Sequence, residues 1–117
     1  MTRDIILYGI TTCDTVRKAR KWLEGRGVAF SYHDLRKDGL SEADLAVWVK
    51  AMGWEALVNR SGTTFRKLSD AEKLVASETQ AISLMLVHPT IIKRPVLVRG
   101  GTVTLGFKSE LYEKIFS

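Results

Sequence analysis

Cysteine is nearly missing from this chain. Cys13 is the only one in 117 residues, so no internal disulfide can form. A lone thiol suits a reducing compartment. Proline is scarce as well, with Pro89 and Pro95 alone, and histidine is confined to His33 and His88. No apolar run approaches the roughly 18 residues of a membrane helix. Nor does a basic and then apolar leader with a small-residue cleavage site open the chain. The expected location is therefore the cytoplasm, with no membrane partner. Acidic residues are outnumbered, 13 against 18 basic, for a net charge of +5. The excess base is spread along the chain in small clusters at 17–21, 66–67 and 93–94. With no zinc-finger spacing and no aromatic RNP-like strand, a nucleic-acid face is not expected. A generally basic surface that attracts anions is.

What is present is an ordinary globular composition, 45% apolar and 26% charged. A chain of this length buries roughly two thirds of its unfolded surface and needs no metal or disulfide staple. One domain, 1–117, is expected, with no linker or repeat dividing it. Apolar residues Ile5 to Tyr8, stopped by Gly9, read as a buried strand. Val16, Ala19, Trp22 and Leu23 then fall at helical spacing, with Arg17, Lys18, Arg20 and Lys21 on the other side. Gly25 and Gly27 end that helix. A second strand follows over 29–35. Strand, helix and strand at this spacing make a βαβ unit with a right-handed crossover.

Three helix starts come next, with Ser41 before "EADLAVWVKAM", Ser69 before "DAEKLVA" and Ser77 before "ETQAISLMLVH", each serine having Asp, Glu or Gln three residues on. Between them "NRSGTTFRK" reads as a polar loop long enough to have a task. Residues 95–99 and 102–105 read as a hairpin turned by Gly100 and Gly101, and 109–116 as a closing helix. This order has the proportions of an α/β thioredoxin-like fold: a four-stranded mixed sheet with an all-helical insertion, about 41–88, after the second strand.

Chemistry concentrates at Cys13. It stands where the first strand turns into a basic helix, and such a turn points unpaired N–H groups outward while the helix dipole favours negative charge. A thiolate is an anion, so this position favours it over an inert buried thiol. Arg17, one turn along, adds positive charge, whereas Asp14 opposes it unless its carboxylate turns away to cap backbone N–H groups. Position 16 is valine, so no second cysteine can resolve a disulfide, and an outside thiol must complete any turnover. His33, in a strand, and His88, at a helix end, read as structural. No metal set is expected.

Three blocks, "LYGITTCDTVRKARKWL", "GWEALVNRSGTTFRKL" and "HPTIIKRPVLV", together resemble the ArsC family of thioredoxin-fold proteins. The likeness is greatest to its YffB-like branch, with the regulator Spx on another. It spans nearly the whole chain, in the same order and spacing. The resemblance implies a glutathione-dependent thiol oxidoreductase in which Cys13 is the catalytic nucleophile and forms a covalent adduct or mixed disulfide. It also implies Arg60 and Arg94 as anion- or glutathione-binding residues, joined by Arg17. Thr12 and Pro95 are structural residues at the site, Pro95 after a cis bond. Guanidinium groups suit this task because they grip tetrahedral oxyanions and carboxylates with two bonds at once.

Glutathione is implied as co-substrate with no cofactor bound, glutaredoxin as a recycling partner, and the monomer as working form. Two departures bear on substrate. Gly9 stands where arsenate reductases carry a histidine, and Phe107 with Lys108 where they carry a third arginine. Both losses weaken arsenate binding more than disulfide exchange. The other readings are a true arsenate reductase and a noncatalytic, Spx-like, protein-binding regulator of transcription.

Overall fold

The computed structural model describes residues 5–116. Strand β1 (Ile5–Gly9) lies inside a four-stranded sheet of order β2-β1-β3-β4. It pairs in parallel with β2 (Ser31–Asp34) and antiparallel with β3 (Val96–Arg99). The edge strand β4 (Thr102–Leu105) returns antiparallel to β3. The hairpin between them turns at Gly100, with φ +60, while Gly101 keeps an ordinary φ. A positive φ at the first central position alone matches a II′ turn, whose twist suits the flanking strands.

Helix α1 (Asp14–Gly25) is the crossover of the βαβ unit and buries Val16, Ala19 and Leu23. Ala19 and Leu23 pack with Leu7, Leu97 and Tyr112 into one core. Leu7 and Leu97 sit opposite each other across β1 and β3. Burying one such leucine contributes about 1.5–3 kcal/mol, so this small cluster is the main stabilising element around the β1–α1 connection. Helix α7 (Ser109–Phe116) supplies Tyr112, whose ring meets Trp22 and Phe107 edge-on at centroid distances of 5.6 and 4.7 Å.

The chain forms two compact units, one made of the chain up to Asp34 and again from Arg94, the other of Leu35–Lys93. The second is helical and extends on both sides of the 41–88 segment expected from helix starts. It contains α2 (Glu42–Met52), α3 (Trp54–Leu57), α4 (Thr63–Arg66), α5 (Asp70–Lys73) and α6 (Glu78–Val87), then a 3-10 turn at Pro89–Ile91. All three serine caps form: Ser41, Ser69 and Ser77 accept from the N–H groups of Asp44, Glu72 and Gln80. At Ser69 the Glu72 carboxylate also returns to the Ser69 N–H, completing the box.

Three expectations need correction. The polar loop "NRSGTTFRK" contains α4, because Phe65 is buried and one helical turn is enough to seat it. The helix after Ser69 stops at Lys73, leaving Leu74 exposed. The second strand begins at Ser31, not at 29. The sheet with its inserted helical segment is nonetheless the thioredoxin-like arrangement expected from the element order. No helix of the described residues is long and apolar enough to cross a membrane.

Candidate functional site

The site begins where β1 stops. Gly9 is buried, and a Cβ there would come within 2.6 and 2.8 Å of the two γ-carbons of Val16. Strand and helix approach so closely at this point that a histidine at position 9 has no room. Residues 10–13 then make a turn closed by the Cys13 N–H donating to the Ile10 carbonyl at 3.0 Å. Cys13 is the N-cap of α1, with extended φ −85 and ψ 125, and its carbonyl accepts the Arg17 N–H at 3.0 Å. Its thiol is free, half-buried and makes no capping bond. The sulfur is thus held at the positive end of a 12-residue helix without being spent on the helix.

Arg17 is engaged by Asp14, its guanidinium paired with that carboxylate, and both side chains are largely exposed. The pair cancels the charge of the acid beside the thiol, and Arg17 faces Asp14 first. An exposed i,i+3 pair of this kind contributes only about 0.3–0.5 kcal/mol to the helix. Thr12 is exposed in the turn. Thr11 is tied down, as its N–H and its hydroxyl both donate to Asp34 Oδ2, at 3.2 and 2.8 Å. Arg20 lies over the Tyr32 ring at 4.1 Å, and the Tyr32 hydroxyl is 3.5 Å from Thr11 Oγ1.

The sheet places a second group of residues at the same end. Val96, the first residue of β3, stands opposite Tyr8 near the end of β1 and opposite Leu105 at the end of β4. The Arg94–Pro95 bond just before it is cis, and the Pro95 carbonyl accepts the Gly106 N–H at 2.9 Å. Pro95 is buried and Arg94 half-buried. The β1–α1 turn, Asp34, the cis proline and Gly106 therefore share one rim of the sheet. Phe107, next along this rim, has its ring in the Tyr112 core, and Lys108 caps α7 by accepting the Tyr112 N–H. The place of the third family arginine is thus filled by packing.

Arg60 belongs to the helical unit. It occupies the tip of a turn closed by the Gly62 N–H donating to the Asn59 carbonyl, and Asn59 Oδ1 accepts from the Ser61 N–H and hydroxyl. The turn grows from an antiparallel bridge between Val58 and Ile92. The exposed guanidinium lies 5.7 Å from the centre of the Trp54 ring. Of the histidines, His33 packs its ring 4.9 Å from that of Tyr8, and His88 meets Glu72 at 2.9 Å. Three hydrogen-bonding influences, led by the Ser69 backbone N–H and then His88, hold the Glu72 carboxyl below the usual carboxylate range. Among the described residues no group of three or more His, Cys, Asp and Glu could hold a metal ion.

Sequence reasoning missed Asp34 and the Arg20–Tyr32 stack. In "YHDLRKDG" the aspartate falls inside the stretch 29–35 that reads as the second strand, and nothing in the local pattern marks it as a site residue. Only the parallel register that sets it opposite Gly9 discloses its role.

The family model described as "ArsC family" matches residues 8–115. An uncharacterized protein of Haemophilus influenzae is 39% identical over 113 residues, covering 97% of this chain and 99% of that one. The global transcriptional regulator Spx of Streptococcus mutans is 28% identical over 109 residues, covering 91% of this chain and 78% of Spx. Among solved structures the YFFB protein superposes with a TM-score of 0.93 at 45% identity, covering 97% of this chain and 99% of that one. An arsenate reductase (ArsC) related protein from Brucella melitensis does so with a TM-score of 0.76 at 44% identity, covering 97% and 95%. With a family model covering nearly all of its length and relatives this similar end to end, the chain belongs to the ArsC family.

Proposed function

We propose that the protein is a glutathione-dependent thiol oxidoreductase of the cytoplasm, working as a monomer, with Cys13 as nucleophile. The observation that carries this reading is the free, half-buried thiol at the N-cap of α1, uncommitted to any capping bond. The Cys13 thiolate attacks one sulfur of a disulfide that contains glutathione. The old S–S bond breaks, a Cys13–glutathione disulfide forms, and the other sulfur leaves as a thiolate that takes a proton from water. A second glutathione thiolate then attacks the glutathione sulfur of that adduct, releasing Cys13 and oxidised glutathione. Because Val16 stands where a resolving cysteine would be, the outside thiol is obligatory. Arg94 grips a carboxylate of glutathione, Arg60 of the helical unit is assigned separately as an anion-binding residue, Arg17 neutralises Asp14 beside the sulfur, and Thr12 and Pro95 shape the site. Glutaredoxin is the partner thiol that recycles the enzyme in place of the second glutathione. Its thiolate attacks the glutathione sulfur of the adduct, the Cys13–glutathione bond breaks, and the Cys13 thiolate is released as glutaredoxin takes up the glutathione.

Incubation with oxidised glutathione, followed by intact-mass measurement, tests this. The expected result is the mass of one glutathione on the wild type and none on Cys13→Ser. An adduct on Cys13→Ser overturns the proposal, as does its absence from the wild type. Arsenate reduction is disfavoured because Gly9 has no room for a side chain and the half-buried Phe107 packs against the Tyr112 core where a third arginine would stand. A coupled assay with arsenate, glutathione and glutaredoxin is expected to give no arsenite above the Cys13→Ser background. The likeness to Spx supports a second reading, a protein-binding regulator. It predicts a partner recovered equally well by the wild type and by Cys13→Ser.

A further inference from the structure

Asp34 is the one buried charged side chain among the described residues, only 5% exposed. A carboxylate taken from water must have its hydration replaced, and a fold keeps such a group where its bonds fix something. What it fixes lies two residues from the nucleophile. Asp34 ends β2 and stands in parallel register with Gly9, the last residue of β1. From there its Oδ2 accepts from the Thr11 N–H at 3.2 Å and from the Thr11 hydroxyl at 2.8 Å. Thr11 is the first corner of the turn that the Cys13 N–H closes. One buried oxygen thus anchors the corner of the loop by backbone and side chain at once. The next two residues, Thr12 and Cys13, inherit their direction from it. Packing does not ask for this hydroxyl, since Thr11 is itself an exposed residue.

We infer that Asp34, acting through Thr11, is a positioning residue that aims the Cys13 sulfur for in-line attack on a disulfide. The inference rests on the proposed thiol chemistry and adds to it the group that sets its geometry. Attack on a disulfide and alkylation both need the incoming sulfur in line with the bond that breaks. A small alkylating agent free in solution turns to meet the sulfur wherever it points, whereas a disulfide held by its glutathione carboxylate presents a fixed axis. Loosening the turn therefore slows the first reaction more than the second.

Because Asp34→Ala is liable to unfold the protein, the contact is tested from its exposed side. Thr11→Val keeps the shape and the N–H but deletes the hydroxyl, and Thr11→Ser restores it. Uptake of oxidised glutathione by Thr11→Val is expected to slow by about tenfold, in keeping with the cost of small misplacements at a reacting centre. Thr11→Ser stays within about twofold of the wild type, and alkylation by iodoacetamide changes by less than about twofold in both, because that unbound reagent aligns itself to the sulfur. Where Asp34→Ala folds, adding Thr11→Val slows it no further, as one shared contact requires. Thr11→Val reacting at the wild-type rate overturns the inference. So does equal slowing in the serine variant, an equal loss toward iodoacetamide, or additive losses in the double variant. If the wild type takes up no glutathione, the proposed function falls together with the inference. Uptake by the wild type, undiminished in Thr11→Val, removes the inference alone.

Discussion

Gly9 shows how one missing side chain shapes the neighbourhood of the nucleophile. Its backbone adopts no left-handed conformation, so the glycine is there for space and not for a turn. Both γ-carbons of Val16 stand inside 3.0 Å of where a Cβ would be, and Val16 is fully buried. A β-branched side chain has little rotamer freedom to yield. Gly9→Ala is therefore expected to destabilise the fold by about 1–3 kcal/mol, the usual range for overpacking a tight core. Urea denaturation measures it, and an unchanged midpoint would show that α1 can back away from β1. The same substitution shifts the helix that carries Cys13, so glutathione uptake should slow alongside. Cys13 itself was legible as a site residue because its position between strand and basic helix has a physical meaning. Asp34 was not, because its meaning lies in a pairing with Gly9 across a parallel ladder.

At the scale of elements, legibility followed length and repetition. Helices α1, α2, α6 and α7 each run eight residues or more, enough for apolar spacing or a serine cap to declare them. Helices α3, α4 and α5 are four residues each, a single turn that cannot establish a period. Only α5 was readable at its start, and that was through its cap. Here the capping box carries unusual weight, since α5 buries none of its own residues. Ser69→Ala removes the acceptor for the Glu72 N–H and the hydroxyl that donates to Glu72 Oε1. The expected cost is about 0.5–2 kcal/mol, the range for losing an N-cap. Thermal denaturation checks the cost, and hydrogen exchange should place it in 69–73. Protection lost equally throughout 35–93 would mean instead that α5 has no separate stability.

At the scale of the whole molecule, two groups whose ionisation folding shifts lie in different units. In the helical unit the Glu72 carboxyl is held below its ordinary 4.5 by the Ser69 N–H and by His88. An acid so depressed lends stability that is present above 4.5 and is lost as pH falls through the folded value, because the unfolded chain then binds the extra proton. In the sheet unit the Tyr112 phenol is fully buried, and burial raises its ionisation well above the ordinary 10.0. Here the sign reverses: above pH 10 the unfolded chain gives up a proton that the folded one keeps, so stability falls with rising pH. One such proton can steepen the alkaline arm by at most about 1.4 kcal/mol per pH unit. Tyr112→Phe keeps the edge-on packing against Trp22 and Phe107 and should flatten the alkaline arm alone. Glu72→Gln should reduce the acid arm alone. Tryptophans already placed in each unit report the two losses, Trp22 in the sheet unit and the buried Trp48 in the helical unit. Single-tryptophan variants melted in urea from pH 3 to 11 are expected to show Trp48 responding first in acid and Trp22 first in alkali. If the two signals coincide at both extremes, the units unfold as one body. Either variant changing the opposite arm would separate that arm from the group assigned to it.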